Sequence, residues 1–163
     1  MNLTPYNLQR LKFLTRIVRK EIDHLRQTDE RLFAEPFTRQ KVENLESDID
    51  LAERVDAFVS RFGRLQDTVG DKLLPQYLSA VGEKTGAAVD NLNRLEKLDL
   101  IQSAETWLTL RNMRNEMVHE YIEDLDILAN ALNKGHEHVK TLVNDAERIL
   151  SDIALRGWIA IEK

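Results

Sequence analysis

Arg114, Asn115 and His119 stand within a six-residue span, and Tyr121 follows two residues later. Arginine offers a planar, permanently charged fork that fits a phosphate. Histidine is the side chain best able to move protons near neutral pH. A guanidinium, an amide and an imidazole within about two helical turns can serve phosphodiester chemistry, one group holding the anion while another transfers protons. Arg111, three residues before Arg114, offers a second phosphate contact.

These residues fall on a predicted helix over 104–121 whose pattern they disturb. At about 100° per residue, Ala104, Trp107, Leu110, Val118, Ile122 and Leu125 gather on one side. Glu105, Thr109, Asn112, Glu116, Glu120 and Glu123 gather on the other. Arg111 and Arg114 land in the middle of the apolar face. Asn115 and His119, four apart, are neighbours at its edge, and Tyr121 projects from the helix end on the apolar side. An unpartnered guanidinium in a core costs several kcal/mol. Either each arginine meets a carboxylate from a facing helix, such as Asp48, Asp67 or Asp90, or the stretch lines a cleft or subunit interface that receives an anion.

The elements that must position this helix follow from a 3.6-residue apolar period along most of the chain, with few Gly and Pro residues. A first helix starts after Thr4-Pro5 and runs to about Gln27, with Leu11, Leu14, Val18, Ile22 and Leu25 inward. A turn follows at Phe33–Phe37. A long second helix opens at Thr38, its apolar seam Val42, Leu45, Ile49, Ala52, Val55, Val59, Phe62 and Val69, and Pro75 ends it or breaks it just beyond. A shorter third helix carries Ala88, Leu92, Leu95 and Leu98. Ser103 caps the fourth. The fifth spans about Asp124–Leu155. The expected fold is all-α, a single up-and-down bundle of about five helices over residues 1–163. The tail 155–163, with Trp158, is expected to pack back on the bundle or to join an interface.

Composition narrows the function classes. The chain has no cysteine, which excludes disulfides and Cys-ligated metal centres and suits a reducing compartment. The opening stretch has no secretory h-region, and no apolar run approaches the ~20 residues of a membrane span. A soluble, cytoplasmic protein is the expectation. The net charge of −5 disfavours nucleic-acid binding over a broad surface, so contact with RNA is expected in a cleft. One local exception is the first helix, crowded by Arg10, Lys12, Arg16, Arg19, Lys20 and Arg26; it is either a solvated face or a phosphate-facing wall.

Rival chemistries are weaker. Glu-x-x-His occurs at Glu21–His24 and Glu116–His119, the spacing of di-iron bundles. But Glu116 falls nearly opposite Arg114, and the two arginines would repel a metal. His136 and His138, two apart on a helix, diverge and are expected at the surface. The polar runs Glu43–Glu53 and Asp145–Arg148 are expected to be solvated faces. A purely structural, dimerising bundle explains the arginines but not their combination with Asn115, His119 and Tyr121.

The run Arg114-Asn115-Glu116-Met117-Val118-His119 resembles the Arg-Asn-x-x-x-His signature of HEPN domains. With Glu120 and Tyr121 it completes the Arg-x4-His-x-Tyr form of HepT-like toxins, and Trp107-Leu108-x-Leu110-Arg111-Asn112 resembles their hydrophobic lead-in. The resemblance implies a homodimeric endoribonuclease that needs no metal and no cofactor, with two motif helices facing each other across a shared cleft. It implies catalytic roles for Arg114, Asn115 and His119. It also implies a minimal nucleotidyltransferase antitoxin as partner, which silences the toxin by transferring AMP to Tyr121. The alternative is a non-catalytic binding or regulatory partner of a nucleotidyltransferase.

Overall fold

The computed structural model describes residues 3–119 and 124–160. Among them every regular element is a helix, and the helices share one apolar core. Helix α1 (Pro5–Leu32) begins where the Thr4 hydroxyl accepts from the Asn7 N–H at 3.1 Å, with proline in the first turn. Its expected inner stripe is buried. The helix runs one turn beyond Gln27 because Thr28 and Leu32 continue that stripe. The turn that follows is clipped to the last helix: the Asn133 amide accepts from the Phe37 N–H at 2.9 Å and donates to the Phe37 carbonyl at 2.8 Å.

The long second helix expected from Thr38 is instead divided. Thr38 caps a short α2 (Arg39–Glu43), a 3-10 turn covers Asn44–Glu46, and Asp48 caps α3 (Ile49–Asp67) by accepting from the Leu51 N–H. Asn44, Ser47 and Asp48 supply the interruption, since short polar side chains compete for backbone groups. The new start shifts the register: Ile49 is 69% exposed, while Leu51, Val55, Phe58, Phe62 and Leu65 turn inward.

Pro75 does not end the second rod. A π turn (Thr68–Leu73) joins α3 to α4 (Leu74–Ala80), and the Leu74 N–H reaches five residues back to the Val69 carbonyl. Proline therefore enters where the hydrogen-bond ladder has already slipped by one residue, which spares the clash with the carbonyl four back. Helix α5 (Ala88–Lys97) follows a loop that Asn91 closes by bonding both backbone groups of Gly86.

Helices α6 (Ala104–His119) and α7 (Leu125–Leu155) complete the bundle. Ser103 caps α6 as expected, accepting from the Thr106 N–H, and Asp124 caps α7. Gly135 on α7 allows a close crossing: a β-carbon there would stand 3.3 Å from the Met117 sulfur on α6. Among the described residues, no helix is long and apolar enough to cross a membrane. The tail bends back after Arg156. Trp158 is buried, and the Arg156 guanidinium lies 5.3 Å from its ring centroid.

Candidate functional site

Helix α6 buries Ala104, Trp107, Leu110, Met113 and Met117. This stripe corrects the helical wheel, which put Arg111 and Arg114 in the middle of the apolar face. The two methionines take the inner positions beyond Leu110, and both arginines move to the flank, their side chains 47% and 36% exposed. Long cationic side chains at such an edge cover apolar surface with their stems while the head stays wet.

Each arginine meets a carboxylate at the start of the π turn. An Arg114 terminal nitrogen lies 3.1 Å from Asp67 Oδ2, and the other donates to Asp67 Oδ1 at 3.3 Å. Arg111 donates to Asp71 Oδ1 at 2.9 Å. Asp67 was one of three candidate partners in the sequence; Asp48 instead caps α3. At these exposures an ion pair contributes under about 1 kcal/mol. The pairs orient the guanidinia without committing them, and an arriving anion can displace a carboxylate at small cost.

Arg114 rests against α3 where that helix has no side chain. Its Nε, Cδ and Cγ all lie within 3.4 Å of the point where a β-carbon on Gly63 would stand. Gly63, Ser60, Arg64, Asp67 and Arg114 line an open groove of about 270 Å³. Arg64, its second cation, donates to Ser60 Oγ at 3.0 Å. A smaller recess on the other side of Asp67 holds Gln66, Gly70, Trp107 and Arg111 in about 20 Å³. The Gln66 side-chain Oε1 is buried and has no hydrogen-bond partner among the described residues.

Of the remaining candidates, only Asn115 has a described side chain. Asn115 is exposed on α6 and does not line the Arg114 groove. His119 is the last residue of α6, and its side chain lies outside the described set. Tyr121 lies outside the described residues altogether. Glu21, half of one Glu-x-x-His pair, accepts from the Thr68 hydroxyl at 3.0 Å in the π turn, and burial raises its pKa.

Of the polar groups expected at the surface, Asp145 is buried, whereas His136 stays partly exposed while making structural contacts. Asp145 is 2% exposed: it accepts from Trp107 Nε1–H at 2.9 Å and from the Gln102 N–H at 3.3 Å. Burial pushes its carboxyl pKa up, and those two hydrogen bonds pull it back. The run Asp145–Arg148 is therefore not simply a solvated face; its first residue pins the start of α6 to α7. His136 pairs with Asp29 at 2.7 Å and stacks on Phe33 at 4.4 Å between centroids, whereas His138 bonds the Lys134 carbonyl of its own helix. The indole of Trp107, a polar-tipped ring in a core stripe, was the available signal for a buried acceptor.

No family model, curated protein or solved structure matches the chain.

Proposed function

We propose that this chain is a metal-independent endoribonuclease of the HEPN type, similar to HepT-like toxins, acting in the cytoplasm as a homodimer. The sequence run Arg114-Asn115-x3-His119-x-Tyr121 supports the family reading. The observation that carries the chemistry is the setting of Arg114: a half-exposed guanidinium at an open groove, paired with an equally exposed carboxylate. Such a cation can exchange Asp67 for a phosphodiester. The rival explanation, an arginine locked in a buried pair, does not describe it.

In this reading Arg114 holds the scissile phosphate and offsets the charge that grows on its oxygens. His119 takes the proton from the ribose 2′-hydroxyl as that oxygen attacks phosphorus, and a proton is returned to the 5′-oxygen as the P–O5′ bond breaks. Asn115 orients the imidazole or the phosphate. Silencing follows from AMP added to Tyr121 by a minimal nucleotidyltransferase antitoxin, because a new phosphodiester beside Arg114 occupies the anion site.

The test is expression of the chain alone in a bacterial host, wild type beside His119→Ala, with growth and RNA integrity followed together. Growth arrest and RNA loss confined to the wild type are expected, and cleavage by the purified chain should survive EDTA. Equal growth with intact RNA in both strains would remove the ribonuclease reading and favour a non-catalytic partner of a nucleotidyltransferase.

A further inference from the structure

Charge is distributed unevenly along the chain. Residues 1–20 hold five of the 23 basic residues and none of the 28 acidic ones. Those five, Arg10, Lys12, Arg16, Arg19 and Lys20, all lie on α1. Farther along, Arg26, Arg39, Arg94, Arg111, Arg114 and Arg156 each meet a carboxylate. Among the described residues, Arg10, Lys12, Arg16 and Lys20 form no ion pair, although acidic residues outnumber basic ones overall.

These free cations are interleaved with exposed rings. Tyr6 is 71% and Phe13 43% exposed. The Arg10 and Arg16 guanidinia lie 5.5 and 6.0 Å from the Phe13 centroid, one from either side along the helix. Positions 6, 10, 13, 17 and 20 fall on one face at steps of four and three. From Arg10 to Lys20 this face runs about 15 Å.

We propose that the outward face of the N-terminal half of α1 is a landing surface for single-stranded RNA. Two features select this occupant. Unpaired cations along a helix attract a phosphate backbone and release its counterions. A ring held among guanidinia offers a stacking platform on which the splayed bases of a single strand can lie while their phosphates meet the cations. A lipid surface fits less well, because a membrane-bound helix turns its apolar face outward, and α1 buries Leu11, Leu14, Val18 and Ile22 in the core. On this view a base displaces one guanidinium from Phe13, and the freed arginine moves to the adjoining phosphate. The inference rests on the ribonuclease reading only for naming RNA as the polyanion.

The experiment is an anisotropy titration of a fluorescein-labelled oligouridylate with the full chain carrying His119→Ala, at rising salt. Combined Arg10→Glu, Arg16→Glu and Lys20→Glu should weaken binding more than about tenfold at low salt and reduce the salt slope by about two. Phe13→Ala should weaken binding about fivefold or more while leaving the slope unchanged. Combined Lys134→Glu and Lys140→Glu on α7, a change of four charge units against six on α1, should leave affinity within about twofold, since no exposed Phe or Tyr ring accompanies it. Affinity unchanged in the triple variant overturns the proposal. So does absence of RNA binding by the parent chain, or binding only to vesicles of anionic phospholipid. Cleavage of the same oligonucleotide by the chain with His119 intact separates the two readings. Cleavage with unaltered binding in the triple variant sinks the landing surface alone; triple-sensitive binding without cleavage sinks the ribonuclease alone.

Discussion

Arg114 lies across Gly63 so closely that a β-carbon on the glycine would stand 2.7 Å from its Nε. Contacts that short do not persist, so Gly63→Ala must shift the Arg114 side chain from its place against α3 and disturb its alignment with Asp67. Alanine is otherwise favoured by about 1 kcal/mol in a helix interior, so α3 itself should tolerate the change. The expected outcome is a fall in RNA cleavage with a melting temperature equal to or above that of the wild type. A variant with full cleavage would show that the position of Arg114 against α3 is irrelevant to the site.

Removal of the arginine itself separates function from stability. Because the Arg114–Asp67 pair is 36% and 43% exposed, Arg114→Ala should cost under about 1 kcal/mol in denaturant unfolding. Loss of a charge-stabilising donor at a reacting phosphate typically costs about a hundredfold or more in rate. Cleavage should therefore collapse while the fold stays intact. A large destabilisation with cleavage retained per folded molecule would make Arg114 a structural residue.

The contrast between the core and the site shows what periodicity can report. The inner stripe of α1, the Ser103 cap and the full length of α7 follow from apolar spacing and capping chemistry, because each depends on residues within a few positions. The break at 44–48 and the passage through Pro75 were not legible in that way. Several polar side chains competing for backbone decide the first, and a one-residue slip of the ladder decides the second. The wheel also misjudged α6: it left Met113 and Met117 off the apolar side, although a flexible thioether readily fills a core gap, as Met117 does beside Gly135. That error made two flank arginines look buried. Their pairing with Asp67 and Asp71 depends on where α3 and the π turn cross α6, a relation between residues 47 and 40 positions apart.

Asp145 gives a prediction about the base of the same helix. Asp145→Ala leaves the Trp107 indole N–H and the Gln102 N–H without their acceptor inside the bundle. Stranding the buried indole donor should lower unfolding stability by about 1–3 kcal/mol, measured by urea denaturation, with the part-buried Gln102 N–H adding less. Asp145→Asn should fall between, since the amide keeps one acceptor oxygen but turns a donor toward a donor. Wild-type stability in the alanine variant would mean that water replaces the carboxylate and that Asp145 does not anchor α6.

The alkaline limit of the fold should be set in part by Tyr77. Its hydroxyl donates to Asp152 Oδ2 at 2.5 Å, and the ring is 2% exposed. Burial first, and then the bond to and charge of Asp152, push its pKa from the ordinary 10.0 to about 12. A raised folded-state value means the native protein holds this proton after the unfolded chain has lost it. The stabilisation is thus complete below pH 10 and disappears as pH climbs through about 12. At 1.36 kcal/mol per unit, the two-unit interval amounts to at most about 2.7 kcal/mol. Urea unfolding of wild type and Tyr77→Phe in parallel isolates it, because lysine and arginine titrations common to both cancel in the difference. That difference should favour the wild type near neutrality and shrink steadily between about pH 10 and 12. A gap that stays constant across the interval would mean that Asp152 and Arg156 hold the tail without any help from the tyrosine proton.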